Sequence, residues 1–287
     1  MLHGVYVPLV TPFDATGAVS GSALATLAHE VLDAGAAGLV ALGTTAEPSS
    51  LTADEQRTVV DVVAGVCQDR AAPLLVGADT PDALRALAGR PAVTAALTLV
   101  PPFVRPGEAG VVAHLAALAA ASPVPLVVYH VPYRTGQPLS AAALRRVAGV
   151  ANIAGLKHAP GGIDADTVDL LGSRPPGFAV LGGDDVVLSP LLALGAQGGI
   201  LASAHVATAR YAELVQAWHS GAADRARALG HRLARLSAAL FAEPNPTVIK
   251  AVLHAQGRIP TPAVRLPLLP AGPDTVHTAL RHAQTTT

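Results

Sequence analysis

Pro125-Leu126-Val127-Val128-Tyr129-His130 opens a stretch that runs through Ser140 and Ala141–Val147 to Ile153-Ala154-Gly155-Leu156-Lys157. Both ends are short apolar runs rich in Val, Leu and Ile. Runs of this kind, continuous rather than alternating, mark parallel strands covered on both faces. Ala141–Val147 between them reads as an amphipathic helix, with Ser140 as N-cap and Gly149 at its end. Strand, helix and strand follow one another within 33 residues, which is one βαβ unit.

The unit repeats in both directions. Further strands are predicted at Gly4–Val10, Ala37–Leu42, Pro73–Gly77, Ala95–Val100, Ala179–Gly182 and Gly199–Ala202. Helices are predicted at Ser22–Leu32, Ala53–Val66 and Glu108–Ala121, the second opened by the capping box Thr52-Ala53-Asp54-Glu55 and the first closed near Gly35. Eight strands, each followed by a helix, predict an α/β fold, a (β/α)8 barrel. A doubly wound sheet competes, but no GxGxxG follows the first strand. From residue 205 the pattern is helical only, at Ala207–Ser220, Ala222–Phe241, Pro246–Gln256 and Pro273–Ala283. We therefore expect a barrel over 1–220 and a C-terminal helical extension over 221–287.

Composition narrows the function. The chain has 287 residues, of which 51% are hydrophobic and 14% charged, a balance that excludes disorder. Aromatics are 3%, so the core is aliphatic. The formal charge of −1 comes without basic clusters, so neither nucleic acid nor a membrane surface is an expected partner. The single cysteine, Cys67, lies in an apolar run and reads as a buried thiol; no internal disulfide or multi-cysteine zinc site is possible. No leader pattern or long apolar span is evident, and a cytoplasmic protein is expected. Of the 19 basic residues only two, Lys157 and Lys250, are lysines.

In such a barrel the chemistry sits where strands end. Strand six ends in Lys157. An amine buried there loses part of its preference for charge and becomes a nucleophile toward ketones and aldehydes. Arg stays protonated and cannot do this. The bland alternative is a structural Lys paired to a carboxylate. Strand five ends in Tyr129, followed by Tyr133, Arg134 and Gly136: a proton carrier beside a carboxylate clamp, or a plain aromatic turn. Strand two ends in Gly43-Thr44-Thr45-Ala46-Glu47, whose hydroxyls and amides suit an anion, or an ordinary helix start. Gly182-Gly183-Asp184-Asp185 after strand seven reads as helix capping and site support; no converging set of ligands points to a metal. Lys250, inside a predicted helix, reads as a snorkelling or salt-bridged residue.

Taken together and in order, these pieces resemble the dihydrodipicolinate synthase / N-acetylneuraminate lyase family of class I pyruvate aldolases. The resemblance rests on Val10-Thr11-Pro12-Phe13, Gly43-Thr44-Thr45 with Glu47, Tyr129 through Gly136, Gly155-Leu156-Lys157, Gly183-Asp184-Asp185 and Glu243-Pro244-Asn245-Pro246. It implies a (β/α)8 barrel with a helical extension, assembled as a homotetramer or homodimer, with no cofactor beyond a covalent imine. It implies that Lys157 forms that imine with pyruvate and that Tyr129 moves protons beside it. Thr44 and Thr45 would contact the pyruvate carboxylate and join a relay. Arg134 would hold the carboxylate of a second substrate, an aldehyde, and Gly183 and Ile200 would line the pocket. The Arg134-Thr135-Gly136 tract is similar to the synthase branch, which joins pyruvate to aspartate semialdehyde.

The chain also departs from that branch. The second relay tyrosine, delivered across a subunit interface, aligns with Phe103 or Val104, neither of which has a hydroxyl; Tyr133 is a candidate replacement. His158 stands where an acidic residue usually follows the lysine, Ala46 where Gly is usual, and His205 where Asn is often found. The positions that bind lysine in lysine-inhibited members hold Ala53, Gln56 and either Pro102 or Phe103, so no lysine inhibition is expected. Two other readings stay open: an aldolase acting on another 2-keto acid, and a non-catalytic paralogue that binds a keto acid or scaffolds an oligomer.

Overall fold

The computed structural model describes residues 2–286. Its centre is a closed barrel of eight parallel strands in sequential order. They are β1 (Gly4–Pro8), β2 (Gly38–Ala41), β3 (Leu74–Gly77), β4 (Val93–Leu99), β5 (Leu126–His130), β6 (Ile153–His158), β7 (Ala179–Gly182) and β8 (Gly198–Ile200). The helices outside are α1 (Gly21–Asp33), α2 (Ala53–Asp69), α3 (Pro81–Arg85), α4 (Gly107–Ala121), the short α5 (Pro132–Thr135), α6 (Ala141–Ala148), α7 (Ala165–Gly172), α8 (Leu188–Ala193) and α9 (Ala204–His219). Three more follow: α10 (Ala223–Leu240), α11 (Thr247–Ala255) and α12 (Pro273–Thr286). Beyond residue 205 only helices follow among the described residues, and the stretch between α11 and α12, where no helix is expected, is irregular because Pro260, Pro262, Pro267 and Pro270 each remove an amide donor and fix φ.

The strands are almost wholly buried, Thr94 near the start of β4 being exposed, and successive side chains divide between two cores. Tyr6, Val40, Leu75, Leu97, Val127, Leu181 and Ile200 fill the barrel interior. Val5, Val7, Leu39, Leu74, Val76, Leu126, Val128, Leu156 and Val180 pack outward against the helices. The strand period of two decides which residues face the barrel axis. Closure between β8 and β1 needs Gly198: a Cβ there would lie 1.9 Å from the Gly4 carbonyl oxygen. The expected caps are present. Thr52 and Glu55 form the capping box of α2, and Ser140 accepts from Ala143 N at the start of α6.

Candidate active site

β5 and β6 pair in the register Tyr129↔Lys157 and His130↔His158. Tyr129 belongs to the inner set, and Lys157, its partner in register, lies over its ring: Nζ is 4.2 Å from the ring centroid. Lys157 is 6% exposed. Burial pulls its pKa down to about 8; Asp185 and Asp184 oppose the shift, and Arg134 adds to it. At pH 7 about a tenth of the amine is therefore free base, far more than for an unperturbed lysine. Burial pushes the Tyr129 phenol up to about 12, so it stays protonated and able to donate, with the Thr44 hydroxyl pulling the other way.

These groups open into a cavity of about 350 Å³ at the C-terminal ends of the strands, within the range of small-molecule sites. Thr44, Thr45, Tyr129, Tyr133, Arg134, Lys157, Gly183 and Ile200 all line it. The residues to which the resemblance gives a place in the imine site are thus brought together, with Asp184 and Asp185 beside them. Gly183 serves by having no side chain: a Cβ there would lie 2.9 Å from both Cγ and Cε of Lys157. Arg134 lies on α5, its Cζ 5.8 Å from the Tyr133 ring centroid, and α5 ends at Gly136, whose φ of 74° terminates the turn.

Phe103 and His158 do not join the cavity. Phe103 sits in the loop after β4 and is 88% exposed, so in a single chain it faces solvent. His158 follows Lys157 by one residue and therefore points to the opposite face, toward α7, where its Nε2 meets Thr167 Oγ1 at 2.9 Å. His205 is also turned away, its Nε2 accepting from Val10 N at 3.2 Å.

The paired aspartates depart from expectation in part. Neither side chain caps the short 3-10 turn Asp185–Val187. Asp184 Oδ2 accepts from Gly161 N at 2.6 Å, and Asp185 Oδ2 accepts from Ser203 N at 2.6 Å. They tie the ends of β6, β7 and β8 together, because the loops there supply amides with no strand partner. Burial raises the Asp185 carboxyl to about 6. Among the described residues no group of three or more His, Cys, Asp or Glu is arranged to hold a metal ion.

Lys250 is salt-bridged rather than snorkelling. It is fully buried, with Nζ 2.8 Å from Glu47 Oε1 and 4.0 Å from the Phe13 ring centroid. The cavity wall also contains Phe241, Val187, Ala202 and Asn245, to which the sequence reading gave no role. Asn245 Nδ2 donates to Thr45 Oγ1 at 2.8 Å. The one local signal was the Pro-Asn-Pro turn Pro244–Pro246.

The sequence matches the dihydrodipicolinate synthetase family over residues 1–284. It is 34% identical over 273 residues to the 4-hydroxy-tetrahydrodipicolinate synthase of Syntrophus aciditrophicus, covering 93% of this chain and 92% of that one. Among solved structures, the chloride-inhibited dihydrodipicolinate synthase of Acinetobacter baumannii in complex with pyruvate is 31% identical with a TM-score of 0.92, covering 99% of each chain. The dihydrodipicolinate synthase of Cyanidioschyzon merolae with lysine bound is 28% identical with a TM-score of 0.92, covering 99% of this chain and 97% of that one. End-to-end agreement of sequence and fold, on top of a buried lysine over a tyrosine ring, leads to one conclusion: this chain belongs to the dihydrodipicolinate synthetase family.

Proposed function

We propose that this chain condenses pyruvate with aspartate semialdehyde through an imine on Lys157, in the manner of a 4-hydroxy-tetrahydrodipicolinate synthase. The observation that carries the reading is the buried Lys157 amine, 4.2 Å from the Tyr129 ring centroid with its pKa drawn to about 8. The neutral amine attacks the ketone carbon of pyruvate. A proton from Tyr129 helps the hydroxyl of the carbinolamine leave as water, giving the protonated imine. That cation withdraws electrons, so a methyl proton passes to the Tyr129 phenolate and an enamine forms. The enamine carbon then attacks the aldehyde, whose oxygen takes that proton back, and attack on the regenerated imine by the amino group of the second substrate releases the Lys157 amine. Thr44 and Thr45 serve the pyruvate carboxylate, and Arg134 at the mouth serves the carboxylate of the second substrate. The covalent imine takes the place of a cofactor.

One observation supports a second reading, an aldolase acting on another 2-keto acid. Phe103 and Val104 offer no hydroxyl, and Tyr133 is the phenol left beside Arg134 at the mouth. The test is a pyruvate-dependent assay with aspartate semialdehyde against a panel of sugar-derived aldehydes. Preference for aspartate semialdehyde supports the first reading, and preference for a sugar-derived aldehyde selects the second. We further propose a homotetramer or homodimer in the cytoplasm; the exposed, adjacent Phe103 and Val104 support the assembly, and native mass measurement tests it.

A further inference from the structure

The turn that carries Thr44 and Thr45 is gripped by residues from far along the chain. Glu47, two residues beyond Thr45, has a left-handed backbone with φ 56°. Its carboxylate accepts from Lys250 Nζ at 2.8 Å and from Arg265 N at 2.8 Å. Thr11 Oγ1 donates to Ala46 O at 2.8 Å. Thr45 itself is 2% exposed, and the polar contact made to its hydroxyl is the 2.8 Å bond from Asn245 Nδ2. Asn245 Oδ1 is buried with no partner, so the amide gives up one hydrogen bond to hold this orientation.

A hydroxyl has one proton and two lone pairs, whereas an amide nitrogen donates and does not accept. While Asn245 donates to Thr45 Oγ1, the Thr45 proton cannot return along the same line. It is left for an acceptor on the cavity side: the Thr44 hydroxyl or the carboxylate of a bound keto acid. We propose that Asn245 is a positioning residue that sets the direction of the Thr45 proton and so controls how fast Lys157 forms its imine. The Glu47–Lys250 ion pair clamps the two segments, so that the short bond between them is kept.

This inference rests on the imine reading of Lys157, and the experiment separates the two. The rate of borohydride-trapped adduct formation with pyruvate is measured by intact mass for the full chain and for Asn245→Ala, Asn245→Asp, Thr45→Val and Asn245→Ala/Thr45→Val. Asn245→Ala is expected to slow trapping about tenfold, the scale of one lost hydrogen bond to a reacting group, with kcat falling and the KM for pyruvate changing less. Asn245→Asp is expected to slow it more, because a carboxylate accepts the Thr45 proton and removes it from the cavity side. The discriminating arm is the cycle. If Asn245 acts through the Thr45 hydroxyl, its loss adds nothing once Thr45 is Val. Independent, multiplicative effects in the double variant overturn the proposal, as does a wild-type rate in Asn245→Asp. Thermal melting of each variant identifies any that fails to fold, and the cycle does not need the Asp variant. An untrapped wild-type chain would refute the Lys157 reading; a trapped wild type with an additive cycle refutes this inference alone.

Discussion

Lys157 owes its chemistry to where it lies on β6 more than to what lies around it. Burial is the leading cause of its lowered pKa, and the nearby aspartates work against it. The rate of imine formation should therefore rise through about pH 8, roughly tenfold per unit below that value, and then level off. A trapping-rate profile still climbing through pH 10 would show an amine of ordinary basicity. Gly183 makes a second prediction. Gly183→Ala places a methyl group 2.9 Å from two carbons of the Lys157 side chain. We expect at least a tenfold loss of kcat with native circular dichroism, since misplacement of this size costs catalysis before it costs folding. Lys157 and Tyr129 were legible in the sequence because each ends an unbroken apolar strand. Asn245 showed only as part of the Glu243–Pro246 tract, without a role: its place beside Thr45 is set by the docking of a segment 200 residues away.

At the scale of elements, the period of two explains why neighbours of the catalytic pair do something else. His130 and His158 each follow an inward residue and face outward, stacked with centroids 5.5 Å apart. Leu139 N donates to His130 Nε2 at 3.2 Å, and both Nδ1 atoms are buried without a partner. Burial lowers each pKa from 6.5 to about 4; His158 lowers His130 further, while Asp164 opposes both shifts. Because the folded state prefers the neutral rings, the unfolded chain binds more protons between pH 6.5 and 4. Stability is therefore complete above pH 6.5 and falls as the pH drops toward 4. By pH 5 the two rings should together cost about 4 kcal/mol. Urea melts at pH 7.5 and 5 check this, and His158→Gln should lose less on acidification than the wild type. An equal loss in both proteins would remove the pair from the account; buried His205 contributes a background common to both. The same period made the strand ends readable. Short helices such as α3, α7 and α8 were not, whereas the equally short α6 was, because Ser140 and Gly149 bracket a clear amphipathic run there.

At the scale of the molecule, the Glu47–Lys250 pair joins the second strand's turn to α11 through the buried interior. Lys250→Met leaves the buried Glu47 carboxylate without its charge partner, only the Arg265 amide remaining, and a loss of about 3 kcal/mol is expected in chemical denaturation. Glu47→Gln/Lys250→Met should recover part of it, and a stable single variant would show the pair to be dispensable. Lysine should not act on this chain: Gln56, at one of the positions in question, spends its amide on Pro48 O and Leu51 O at 2.9 and 3.3 Å. Millimolar L-lysine should leave both turnover and melting temperature unchanged, and a slowed turnover would contradict that. The barrel was legible because parallel strands announce themselves as apolar runs at regular intervals, and the proline-rich stretch before α12 showed as a gap between two helical patterns. What holds the account together is one amine. Intact chain treated with pyruvate and borohydride, followed by peptide mapping, should gain one pyruvate-derived adduct on Lys157; no adduct, or an adduct confined to Lys250, would contradict it.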